Sequence, residues 1–189
     1  MEFLKESHYG FIQNEIWMLT FGAAFQRANV YQTDAPAEQK GYFKTMTRAY
    51  IEDVVLNDYK TASVTDEQHV ENIKRISDYS SNFSEIFKEG KINFGIAQKM
   101  LNLYLKYMWS LGNIQEPPHF PIDRIIQEKL NKQAKLSGIN VLKMASWTQY
   151  PDEKHYLEVI NNARDLIRKD NNFANHSLAE LELFLFNRR

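Results

Sequence analysis

The sequence predicts an all-α protein, and three observations carry that prediction. Apolar residues recur at helical spacing along most of the 189 residues. No stretch alternates apolar and polar residues as a half-buried strand does. Two capping boxes, Thr65-Asp66-Glu67-Gln68 and Ser177-Leu178-Ala179-Glu180, mark helix starts. With 43% hydrophobic and 25% charged residues and only seven Gly, the chain suits one domain over residues 1–189.

Taken in order, residues 7–29 form a first helix through Phe11, Ile12, Ile16, Trp17, Leu19, Phe21 and Phe25. The breaker Thr33-Asp34-Ala35-Pro36 precedes a second helix over 37–58, and the first capping box opens a third that runs to Tyr79. Residues 80–90 read as a loop or short helix. A long helix over 94–111 stops at Gly112, where a left-handed residue ends the hydrogen-bond ladder. Three prolines make 113–122 a stiff extended connection. A further helix from Asp123 to Leu136 ends at Ser137-Gly138, and 139–151 is a loop bearing Trp147 and Tyr150. Residues 152–169 are amphipathic, and the second capping box starts a terminal helix reaching Arg188.

Composition narrows the chemistry. Zero cysteines remove disulfides, thiolate metal sites and a cysteine nucleophile. The five histidines are scattered without ligand spacing, so no metal is expected. Without a phosphate-binding glycine loop or a dinucleotide fingerprint, no cofactor is expected either. The apolar runs are too short to span a bilayer and the N-terminus lacks a secretory core, so a cytoplasmic protein with no membrane partner is expected. The net charge of −1 conceals an asymmetry: residues 88–143 carry nine Lys or Arg against four acids. That suits a local anion-binding face.

Helix 94–111 is apolar nearly all round, which places it in the interior. Its polar exceptions Lys99, Asn102 and Lys106 share one stripe, with Gln98 at the edge. Burial disfavours an ammonium, and a partly neutral lysine is a nucleophile toward carbonyl-like carbon. The simpler alternative is a packed stem with its head in water. Asp123 stands at the N-cap of the next helix, where backbone N–H groups and the helix dipole favour its charged form. Joined by the proline segment, Lys99 and Asp123 can face one cleft.

The string Gly95-Ile96-Ala97-Gln98-Lys99, then a helix, then Pro121-Ile122-Asp123, resembles the helix-hairpin-helix superfamily of DNA glycosylases, and within it is similar to the archaeal 8-oxoguanine branch. The similarity covers residues 90–126. It departs from the family pattern at Ala97, where the second hairpin glycine stands, and at Phe94, where the family has proline. The connection to Asp123 is also longer. General appearance further resembles the small bacterial glycosylases that restrict phages by excising modified bases.

The resemblance implies a two-lobed helical architecture with the cleft between lobes, Lys99 as catalytic lysine and Asp123 as catalytic aspartate. It implies a monomer acting on double-stranded DNA from which a damaged or modified base is flipped, with strand-cleaving lyase activity if Lys99 forms a Schiff base. A flipped base needs a stacking pocket, for which Trp17, Phe21, Asn102, His119, Phe120, Trp147 and Tyr150 are candidates, with Gln13 and Asn14 as further readers of base edges. Phosphates would lie on the N-terminus of the Gly95 helix, beside Gln98, Lys91, Arg124, Lys129 and Lys132. The competing reading is a non-catalytic helical module that binds protein or nucleic acid, in which Lys99 packs and Asp123 only caps.

Overall fold

The computed structural model describes residues 2–186, and these fold into eight α-helices joined by short turns. They are α1 (Glu2–Phe25), α2 (Ala37–Tyr50), α3 (Asn57–Thr61), α4 (Asp66–Tyr79), α5 (Phe94–Ser110), α6 (Arg124–Leu136), α7 (Lys154–Lys169) and α8 (Leu178–Leu185). Among the described residues the only extended pairing is an isolated antiparallel bridge between Tyr31 and Phe87. No helix among them is long and apolar enough to cross a membrane.

α5 is the axis of the fold. Asn93 caps it by accepting from the Ile96 N–H at 3.0 Å, and Gly112, at φ +73°, closes its far end. It buries Phe94, Ile96, Met100, Leu101, Tyr104, Leu105 and Met108. Each such side chain contributes roughly 1.5–3 kcal/mol relative to exposure. α1 packs along one side, where Trp17 stacks on Tyr104 with ring centroids 4.3 Å apart. Beyond α1, Phe25, Tyr31, Phe43, Phe83 and Phe87 form an aromatic cluster, with Phe43 edge-on to Phe87 at 4.9 Å. α6, α7 and α8 pack on one another and send side chains to the polar stripe of α5.

Both capping boxes form as expected, at Thr65 and Ser177. Several boundaries differ from the sequence reading, beginning with the first helix, which starts at Glu2 rather than at residue 7. The first helix stops at Phe25 because Arg27 and Asn29 take left-handed backbone at φ 62° and 47°. The second breaks after Tyr50 into a π-helical turn, Ile51–Val55, whose extra residue re-phases the chain before α3. The last helix ends at Leu185; the expected end at Arg188 lies outside the described residues.

Candidate functional site

Each polar residue on the stripe of α5 meets a different element. Lys99 reaches Asp123 at the head of α6, Asn102 reaches Tyr156 on α7, and Lys106 reaches Glu182 on α8. Helical spacing put these residues in one row, and the three following helices supply their partners.

The Lys99–Asp123 pair is the centre of the candidate site. Lys99 Nζ donates to Asp123 Oδ2 at 2.8 Å, while Asp123 Oδ1 accepts from the Ile126 N–H at 2.9 Å as the cap of α6. Lys99 is only 6% exposed. Its ammonium also lies 4.3 Å from the centre of the Trp147 ring. Burial pulls the amine below the ordinary lysine range, and the charges of Asp123 and Glu182 oppose that pull.

Trp147 links the pair to an open cavity of about 320 Å³. Its walls are Met144, Ala145, Ser146, Trp147 and Thr148 on one strap of chain, with Arg27 and Arg124. Trp147 therefore both covers the ammonium with its ring and lines the cavity. Arg124 follows Asp123 directly and pairs with Glu128 at 2.8 Å. The volume sits at the low end of the about 300–1,000 Å³ that enclose small ligands.

Behind the pair runs a buried polar layer. His119 Nε2 lies 3.1 Å from Asp66 Oδ1 and its Nδ1 lies 2.8 Å from Tyr156 Oη, which accepts from Asn102 Nδ2 at 3.0 Å. These contacts suit a neutral ring that donates from Nε2 to Asp66 and accepts at Nδ1 from Tyr156. Burial pushes the His119 pKa down to about 4, and the neighbouring Arg164 adds to this while Asp66 opposes it. Burial acts to raise the Asp66 carboxyl, but Arg164 at 2.7 Å and His119 hold it below its ordinary value. The His69 ring stands edge-on to His119 at 4.8 Å and is held neutral by complete burial.

Of the seven pocket candidates, Trp147 lines the cavity. Trp17 and Phe21 instead fill the core between α1 and α5, and Trp17 donates to Glu52 at 2.6 Å. Asn102 and His119 are buried in the polar layer. Phe120 and Tyr150 are 2% exposed and fix the segments that carry Asp123 and Trp147. Gln13 is buried on the inner face of α1, donating to Met108 Sδ at 3.3 Å, and Asn14 accepts from Arg48 at 2.6 Å.

The expected phosphate grip needs correction at three places. Gly95 is buried, its N–H donates to Tyr150 O at 3.2 Å, and a Cβ there would fall 1.6 Å from Trp147 O. The glycine thus admits the strap against α5, and that helix N-terminus is covered. Gln98 is fully buried and bonds both backbone groups of Ile122, at 2.9 and 3.2 Å. Lys129 donates to the Leu185 carbonyl at the end of α8. Lys91 pairs with Asp78 at 2.7 Å and stays exposed, as does Lys132. Arg124 remains at the cavity.

Sequence reasoning missed Arg27, Met144, Ser146 and Thr148 as cavity residues. The cluster Ser146-Trp147-Thr148 in an irregular segment was the available signal; nothing local marks Arg27, which reaches the cavity through its left-handed turn. No protein-family model, curated protein or solved structure matches the chain.

Proposed function

We propose that the protein is a DNA glycosylase that excises a damaged or modified base through Lys99 and Asp123. The observation that carries this reading is the buried amine 2.8 Å from a helix-capping carboxylate, under the ring of Trp147, a residue that lines a cavity. Burial favours the neutral, nucleophilic form of Lys99. Asp123 accepts the ammonium proton, and the freed amine attacks the sugar C1′. The N-glycosidic bond breaks, and the base leaves with the bonding electrons and takes up the proton held by Asp123. The proton lost from the attached amine passes through Asp123 to the ring oxygen O4′, whose bond to C1′ breaks with its electron pair as the C1′=N Schiff base forms, and elimination across C2′–C3′ then cleaves the strand. In the monofunctional form of the reaction, Asp123 activates a water and steadies the oxocarbenium-like sugar.

In this reading Trp147 stacks on the flipped base and moves off Lys99 as it does so. Arg27 and Arg124 attract the phosphates at the cavity mouth, with affinity that falls with salt. The protein works in repair when the base is an oxidised purine and in phage defence when it is a bulky modified cytosine. A helical interaction module is the second reading. It is favoured by the outer face of α1, where Phe11 and Met18 are 62% and 61% exposed.

The test is borohydride trapping on oligonucleotides with oxidised and hypermodified bases, alongside mass spectrometry of bases released from genomic DNA, including DNA of phages with modified cytosines. A covalent adduct that disappears in Lys99→Met supports the lyase form. Release without an adduct, abolished by Asp123→Asn, supports the water form. No release from any of these substrates removes the glycosylase reading and leaves the interaction module.

A further inference from the structure

Three helix carboxamides, two buried and that of Asn131 half-buried, make the same contact. Gln98 bonds both backbone groups of Ile122, Gln127 those of Ala145 at 2.9 and 3.1 Å, and Asn131 those of Leu142 at 2.8 and 3.0 Å. Each side-chain amide pairs with one residue as a neighbouring strand would, so a stretch without regular structure gains fixed backbone partners. The residues held are not arbitrary. Ile122 immediately precedes Asp123, and Ala145 stands two residues before Trp147. Asp123 and Trp147 are the two groups in contact with the Lys99 ammonium. Gln127 and Asn131, one turn apart on α6, pin the strap at two points. Asn93 adds a third by donating to Thr148 O at 2.7 Å.

We infer that Gln98 and Gln127 are positioning residues of the site: Gln98 sets Asp123, and Gln127 sets Trp147, against the Lys99 amine. Gln98 is 0% exposed and Gln127 4%, so neither reaches a ligand itself. Both act through the backbone they hold. The inference deepens the glycosylase reading, since misplacing a catalytic carboxylate by about 1 Å costs on the order of 100-fold in rate.

Its test requires no nucleic acid, so it stands apart from the fate of that reading. The full chain is treated with pyridoxal 5′-phosphate and borohydride across a pH range, and modification at Lys99 is quantified by peptide mass spectrometry. Gln98→Met frees Asp123, so the amine loses its counter-charge while staying buried, and its labelling midpoint moves down by about one pH unit. Gln127→Met loosens the Trp147 strap, water reaches the amine, and the midpoint moves up. Asn162→Leu removes a different buried amide bond, to Asn140 O at 2.8 Å, and leaves the midpoint unchanged. Should a methionine variant fail to fold, Gln98→Asn and Gln127→Asn keep a buried amide but shorten its reach. Opposite shifts with an unmoved control support the assignment. Unchanged midpoints in folded variants, shifts in the same direction, or an equal shift in Asn162→Leu overturn it.

Discussion

Two lysine–carboxylate pairs stand seven residues apart on α5, and their contrast shows how burial divides one pattern into two electrostatic settings. In both the charges meet closely, at 2.8 Å for Lys99–Asp123 and 2.6 Å for Lys106–Glu182. In both an aromatic ring covers the ammonium, Trp147 at 4.3 Å and Phe186 at 4.0 Å. The difference lies in which partner is buried. Lys99 is the more enclosed member of its pair, with side-chain exposure of 8% against 19% for Asp123. In the other pair it is Glu182, at 3% against 13% for Lys106. Burial therefore lowers the amine of the first pair and raises the carboxyl of the second. The lowered amine of Lys99 is what the proposed nucleophile requires. The same two residue types, paired from one helix, are tuned differently because desolvation falls on opposite charges.

The sharpest way to break this comparison is to remove each lysine. Lys99→Met is expected to abolish borohydride trapping while changing urea-measured stability by within about 1 kcal/mol, because Asp123 keeps its cap and its access to water. Lys106→Met should leave trapping intact and cost about 3 kcal/mol, because Glu182 is left buried without its partner. Reversed outcomes would sink the distinction.

A second measurement probes the layer between the pairs. His119 stays neutral in the folded protein down to about pH 4, against 6.5 for an ordinary histidine. As the pH falls from 6.5 towards 4, the unfolded chain takes up a proton that the folded one refuses. Stability is then lost across that window, on the order of 3 kcal/mol in all, and is fully present above it. His119→Gln should flatten the slope of unfolding free energy against pH in this range; an unchanged slope would mean that His119 does not set it.

The smallest expected effect separates the pairs by their supports. Gly95→Ala drives a methyl into the Trp147 carbonyl, and the strap must lift, at a cost of about 1–3 kcal/mol. Lys99 labelling by an amine reagent should rise severalfold while Lys106 labelling stays at its wild-type rate, since Lys106 and Glu182 lie on α5 and α8 and do not depend on the strap.

The helices were legible because their apolar period is a property of the sequence alone, and the stripe on α5 stood out because polar residues are rare on an interior helix. The Lys99–Asp123 pair was legible for a related reason: a cap position and a stiff proline segment confine where Asp123 can lie. Gln98, Gln127 and Asn131 were not legible, since an amide on a helix reads as surface unless the chain it will meet is known. Trp17 and Phe21 carried the right chemistry for a pocket, but Trp17 stacks on Tyr104 and Phe21 packs on Trp17 and Phe25, a choice made by how α1 lies on α5. The π-helical turn after Tyr50 left no mark, because its one extra residue preserves the apolar composition of the segment. The sequence pattern suggests a phosphate grip at Gly95, whereas in the fold its missing side chain admits another stretch of backbone.

The strap over 142–150 is fastened by its main chain, through Leu142, Ala145, Thr148 and Tyr150, to amides and a glycine that belong to the helices. Its outward side chains take little part in that fastening. Met144, Ser146 and Thr148 are thus exchangeable parts mounted on a fixed frame, and a lineage or an engineer can recut the cavity for a new ligand without disturbing the scaffold beneath.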